Sequence, residues 1–259
     1  MKTSFFSTLV VTASLTTAWV SQSAAGLVVW GPATTISGDT DVSTSGTAVA
    51  AFNFDAVSPT TVNGVSFTPV FDGLGATGYD VTAGSGAGQL ELSGPRIYSG
   101  NEFGISWATP YSGLTPVYQA LLTGGNYNDS LENASRPINF QIQGLTIGTN
   151  YQIQLWVNDS REYGASRNTT FTAGASSVTL DQNSSEDYGG LGQWVLGSFT
   201  ADATIQDFAA TSSNSTNINA YQLRAIGEIS AVPEPASSLA VTGLIASGLL
   251  LRRRGLLPL

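Results

Sequence analysis

The residues best equipped for chemistry lie in one stretch, Asn158-Asp159-Ser160-Arg161-Glu162-Tyr163 through Arg167. It sets two arginines beside two acids and a tyrosine, just after a segment that carries Trp156. Guanidinium and carboxylate groups bracket sugar hydroxyls through charge-assisted hydrogen bonds, and Trp or Tyr rings stack on the apolar face of a sugar. Trp156, Asp159, Arg161, Tyr163 and Arg167 therefore form a candidate glycan-binding set. The plainer alternative is that Arg161 and Arg167 pair with Asp159 and Glu162 and only fix the loop, as surface ion pairs commonly do. A second candidate is Asp39-Thr40-Asp41 after Gly38, which puts two carboxylates on a turn. Oxygen-only donors suit Ca²⁺, and Asp181, Glu186 and Asp187 would join Asp39 and Asp41 only if the fold gathers their loops. Otherwise these are solvated, turn-forming acids.

Missing residue types remove more chemistry than the present ones supply. The chain has no histidine and no cysteine. That rules out a Ser-His-Asp triad, imidazole-ligated zinc and thiolate catalysis. Its lysine is Lys2, in the N-terminal leader described below, so a Ser-Lys dyad or Schiff base has no partner in the domain. A glycosidase built on two carboxylates remains. Glu186-Asp187 is the nearest approach, but neighbours on a strand point to opposite faces and make a poor pair. The expectation is a non-enzymatic protein, with a carbohydrate-active enzyme or a purely structural envelope protein as the alternatives.

Charge narrows the partners. The net charge is −9 with 10% charged residues. Without Lys2 and the C-terminal Arg252, Arg253 and Arg254, the basic residues are Arg96, Arg136, Arg161, Arg167 and Arg224. A domain this acidic repels nucleic acid and anionic polymers. A neutral glycan, a protein or a contact bridged by Ca²⁺ fits better. With no disulfide available, the fold must stand on burial alone or on a metal.

The elements that would position these residues read as all-β. Tyr151 to Asn158 alternates over eight residues: Tyr151, Ile153, Leu155 and Val157 face the core, and Gln152, Gln154, Trp156 and Asn158 face away. This places Trp156 on the outer face or rim. Ile138, Phe140 and Ile142 alternate in the preceding strand. Leu27 to Trp30, Thr47 to Phe54, Gln89 to Ser93, Phe171, Val178 to Leu180, Trp194 to Phe199, Ala203 to Phe208 and Asn217 to Ile226 supply others. Thr61-Val62-Asn63-Gly64-Val65 predicts a hairpin, because both central residues of a type I′ turn need positive φ. Asp72 to Gly88 is Gly-rich without period and reads as loop. Thr115-Pro116 is an N-cap and first helical residue, and Gly124-Gly125 a stop. The short helix between them, with Val117, Tyr118, Leu121 and Leu122 on one face, is expected to plug one end of a sandwich. Recurrent turn signals suggest a β-sandwich or jelly roll over 26–230.

Both ends carry targeting features. Lys2, an apolar run and Ser23-Ala24-Ala25 make a secretory signal peptide over 1–25, with cleavage after Ala25. At 231–259, Val232-Pro233-Glu234-Pro235 is followed by an uncharged segment, Ala236 to Leu251, and by Arg252-Arg253-Arg254. The prolines hold the backbone extended for a processing enzyme. The apolar segment would span roughly 24 Å as a helix, short of a hydrocarbon core of about 30 Å. The arginines would stop transfer on the cytoplasmic side.

That tail resembles the sorting signal of exosortase substrates, the PEP-CTERM family. The resemblance implies an exosortase-type processing enzyme as partner and transient residence in the inner membrane of a Gram-negative cell. Delivery to the cell surface or extracellular matrix, where exopolysaccharide is an expected contact, would follow. The middle of the chain is similar to a jelly-roll domain of exosortase-sorted proteins, related in architecture to galactose-binding-like modules. The likeness rests on Thr61 to Val65, Gly144 to Gly148 leading into Tyr151 to Arg161, Gly192 to Asp202 and Ile218 to Arg224. It implies a fold and no activity.

Overall fold

The computed structural model describes residues 26–70, 80–94, 98–129 and 137–228. The expected signal peptide and the tail, with Val232 to Pro235 and Arg252 to Arg254, lie outside the described residues, as do Arg96 and Arg136. Among the described residues no helix is long and apolar enough to cross a membrane.

In chain order the strands are β1 (Val29–Trp30), β2 (Thr34–Thr35), β3 (Thr47–Phe54), β4 (Thr60–Val62), β5 (Val65–Val70) and β6 (Val81–Ala83). Then come β7 (Gln89–Ser93), β8 (Tyr98–Gly100), helix α1 (Pro116–Thr123), β9 (Gly125–Asp129), β10 (Ile138–Gln143) and β11 (Thr149–Val157). The last are β12 (Asn168–Ala173), β13 (Ser176–Asp181), β14 (Gln193–Thr200), β15 (Ile205–Thr211), β16 (Ser215–Ile218) and β17 (Ala220–Glu228). They form an eight-stranded sheet, β1-β14-β11-β17-β3-β5-β4 with β2 on β14, and a six-stranded sheet, β13-β12-β15-β10-β7-β6. A small third sheet is ordered β16-β9-β8. Every pairing is antiparallel except β3 with β5.

The two large sheets bury one core between them, as the period-two pattern requires. Tyr151, Ile153, Leu155 and Val157 of β11 face Phe140, Phe171 and Phe208 of the opposite sheet in one cluster. Phe140 and Phe208 stack at 4.7 Å between centroids. The Asn63-Gly64 hairpin forms as expected: Val62 pairs with Val65, and the turn residues have φ of 49° and 76°.

Four expectations are corrected. Val81 to Ala83, inside the stretch read as loop, pairs with β7, with Val81 and Ala83 buried. The helix begins at Pro116 with Thr115 as N-cap and its Tyr118, Leu121 and Leu122 are buried, but Val117 is exposed. The helix also does not plug an end. It lies on the outer face of the eight-stranded sheet, where a second core gathers Ile36, Val42, Val62, Phe67, Tyr118 and Trp156 among others. Trp156 therefore has 0% exposure and is no rim residue. The alternation along β11 holds, but both faces of that strand are covered. Gln154 is buried on the same face, accepting from Ser43 N at 2.9 Å and donating to Asp41 O at 2.7 Å.

Candidate functional site

Three loops are sewn together where β11 ends and β12 and β14 begin. They are 101–110, 158–167 and 182–192. Phe103 N donates to Thr123 O at 3.0 Å, which ties the first loop to the end of α1. Ser160 N donates to Phe103 O at 2.8 Å, and Gly189 N to Ser160 O at 2.7 Å. Tyr111 N donates to Gly189 O at 2.8 Å and closes the ring of contacts. Buried asparagines support it from beneath. Asn158 N donates to Asn219 Oδ1 at 2.6 Å, and Asn217 Nδ2 to Asn158 O at 2.8 Å. Loop backbone groups that no strand could satisfy are thereby paired with side-chain amides.

Within these loops Asp159 is the one fully buried carboxylate among the described residues. Its Oδ1 accepts from Arg161 Nε at 2.8 Å and its Oδ2 from Arg161 Nη2 at 2.9 Å, a forked pair. Oδ2 also accepts from Arg167 Nη1 at 3.0 Å. The Arg161 guanidinium lies over the Phe103 ring, 4.8 Å from its centroid. The hydrogen bond to Asp159 raises the Arg161 pKa above its ordinary value against the opposing effect of burial. The loop-fixing alternative thus describes both arginines, with Asp159 as common acceptor. Glu162 faces solvent, and Glu102 is the further acid near Arg161, at 3.8 Å. A cleft of about 210 Å³ opens beside Arg167, lined also by Asn168, Asp181, Asn183 and Glu186.

The structure divides the five residues of the expected glycan set. Trp156 is sealed in the second core, because α1 and the β4–β5 hairpin cover the face it occupies, so it cannot meet a ligand. Asp159, Arg161 and Arg167 come together, with the two guanidinium groups sharing the one carboxylate. Tyr163 is 70% exposed, on a short 3-10 turn over Glu162–Ser166.

Besides Tyr163, two rings that sequence reasoning missed reach solvent here. Trp107 is 74% exposed and Tyr188 49% exposed. Their centroids are 6.5 Å apart with ring planes inclined by 50°. Gly189 makes this approach available. It has φ of +85°, and a Cβ there would stand 2.5 Å from the Ala108 Cβ. The turn that presents Trp107 is closed by Ala108 N donating to Ile105 O at 3.2 Å, with Ile105 buried. The available signal was a tryptophan in a stretch rich in Gly, Ser, Thr and Pro, with no periodic neighbours to bury it.

The expected cation site is a hydrogen-bonded turn. Asp41 accepts from Ser37 N and Ser37 Oγ, both at 2.7 Å, from Gly38 N at 3.0 Å and from Tyr118 Oη at 3.1 Å. Asp39 accepts from Thr115 Oγ1 at 2.5 Å. No three acids gather where they could hold a metal ion among the described residues, so Asp181, Glu186 and Asp187 do not join Asp39 and Asp41. The larger grooves, of about 640 and 600 Å³, lie over β3 and β5 and on the outer face of the six-stranded sheet. The rings that border them, Phe52, Phe140 and Phe208, belong to the buried core.

No protein-family model and no curated protein matches the chain. Among solved structures it is similar to a β-glucuronidase of Bacteroides uniformis, at 16% identity over 69% of this chain and 18% of that one, with a TM-score of 0.44. It is also similar to β-glucuronidase 2 of that organism covalently bound to cyclophellitol-6-carboxylate aziridine, at 16% identity, the same coverages and a TM-score of 0.40. The chain spans 18% of the length of these proteins. A likeness at this level transfers neither activity nor ligand.

Proposed function

We propose that this is an exported, non-enzymatic surface or matrix protein, processed at its Pro-Glu-Pro tail, which contacts exopolysaccharide through the loops at one end of its sandwich. The observation that carries the glycan reading is the Trp107–Tyr188 pair. Two large rings stand in solvent on loops held by backbone hydrogen bonds, and exposed aromatic rings on a rigid frame suit the apolar faces of sugars. The jelly-roll assignment is supported by strand order. β3-β17-β11-β14 packs on β10-β15-β12-β13, and among these eight strands the sheets alternate along the chain at every step except β12 to β13. Support for a role without catalysis comes from the acids: Glu186 and Asp187 stand in solvent, and buried Asp159 is engaged by two guanidinium groups.

The test is retention on the cell's own extracellular polysaccharide, with and without Ca²⁺, comparing the chain with its W107A/Y188A variant. Retention by the parent and loss in the variant is expected in both conditions. Equal retention by the two removes the aromatic site from the reading.

A further inference from the structure

We infer that the Trp107–Tyr188 site takes an uncharged, soluble glycan chain and rejects both polyuronates and flat crystalline polysaccharide; this rests on the glycan reading above. Charge sets the first limit. Uronate recognition calls for a free guanidinium or ammonium, whereas Arg161 and Arg167, the cations of this loop cluster, share buried Asp159 and have the further acids Glu102 and Glu186 beside them. Arg161 is further engaged over Phe103. The same loops expose Glu102, Glu162, Glu186 and Asp187, which repel a polyanion as it approaches. Ring stacking needs no charge on the sugar.

Ring geometry sets the second limit. A crystalline polysaccharide face is flat and would require coplanar rings. Here the planes are inclined by 50° at 6.5 Å, so the two faces suit successive units of a curved or twisted chain. Trp and Tyr are the residue types that dominate binding energy when they anchor a contact.

The experiment measures affinity of the full-length chain, kept in mild detergent, by affinity electrophoresis in gels cast with a soluble neutral β-glucan or with polygalacturonate, at low and high salt. A pull-down on microcrystalline cellulose runs beside it. Retardation by the neutral glucan that is insensitive to salt, and weakened more than about tenfold by W107A/Y188A, is expected. No retardation by polygalacturonate and no capture on cellulose is expected. Salt-sensitive retardation by polygalacturonate that W107A/Y188A abolishes would overturn the charge inference and leave the glycan reading intact. Capture on cellulose would overturn the geometric one. Failure to bind any glycan would overturn both the inference and the reading beneath it.

Discussion

The Trp156 indole donates to the Tyr118 hydroxyl at 3.1 Å, and that hydroxyl donates to the Asp41 carboxylate at the same distance. Two residues expected in different sites, one for sugar and one for a cation, thus belong to a single relay that runs from the buried indole to the half-buried Asp41 carboxylate. It joins β11, α1 and the turn after β2. Its role is to satisfy the polar ends of three side chains beneath an apolar cover.

Trp156→Ala should therefore act on stability. Removing a buried tryptophan of this kind costs about 3–5 kcal/mol. Urea denaturation should show a lower midpoint, with glycan affinity of the folded fraction unchanged. A variant as stable as the parent would contradict the burial of the ring.

Asp159→Ala should be the most damaging change in the loop cluster. It leaves Arg161 and Arg167 partly buried without their counter-charge, which costs about 3–5 kcal/mol. Arg167→Ala should cost less, since Arg161 keeps its forked pair. Equal losses for the two, by thermal or urea unfolding, would show that the arginines do not share the acid as described.

Alkaline pH should unfold the protein through its buried tyrosines. Burial raises the Tyr111 pKa to about 12, against the opposing hydrogen bond of Thr123. Burial, and then Asp41, raises Tyr118 well above its ordinary value of 10.0. The folded state holds these protons more tightly than the unfolded chain. Stability is thus fully present below pH 10 and falls as pH rises through about 12, by about 1.4 kcal/mol per unit for each such group. Tyr111→Phe should shallow that slope. An unfolding midpoint independent of pH between 10 and 12 would contradict it.

Gly189→Ala should weaken glycan binding while both rings remain. The φ of +85° and the approach of Ala108 leave no place for a Cβ, so the loop must shift and carry Tyr188 with it. Gly64→Ala is the matched control: it also sits at positive φ, but nothing lies within 4 Å of the added atom. It should cost about 1 kcal/mol and leave binding untouched. Losses of the same size in both would remove Gly189 as a positioning residue.

Chelation should not move the melting temperature. The Asp41 oxygens are already occupied by donors from Ser37, Gly38 and Tyr118. A fall in melting temperature with EDTA, restored by Ca²⁺, would return the turn to the list of metal sites.

The sequence made strands and their inward faces legible where an alternating pattern met the main core, but not at β6, whose Val81 and Ala83 reach that core from a Gly-rich stretch. Tyr151 to Val157, the Asn63-Gly64 hairpin and the Thr115 cap all appear where local pattern and turn chemistry place them. It did not disclose which outward faces would be covered. Trp156 has the same alternation whether water or α1 lies above it, and only the tertiary path of α1 and the 36–45 segment decides. The arginine loop was legible as a cluster, but burial of Asp159 turned a set of ligand donors into a clamp. Trp107 and Tyr188 were invisible as a pair because they lie 81 positions apart and meet where Gly189 passes close to Ala108.

The position of β17 has a consequence for how the molecule is made. It is the last described strand, yet it lies in the middle of its sheet, paired to β11 on one side and to β3 on the other. Until it emerges, β3 has no neighbour on that side and the sheet is split into two separate edges. Such non-local closure makes folding slow and late. On the export proposed above, the eight-stranded sheet would stay open at its centre until β17 had crossed, so its final closure would fall after almost all of the chain had passed.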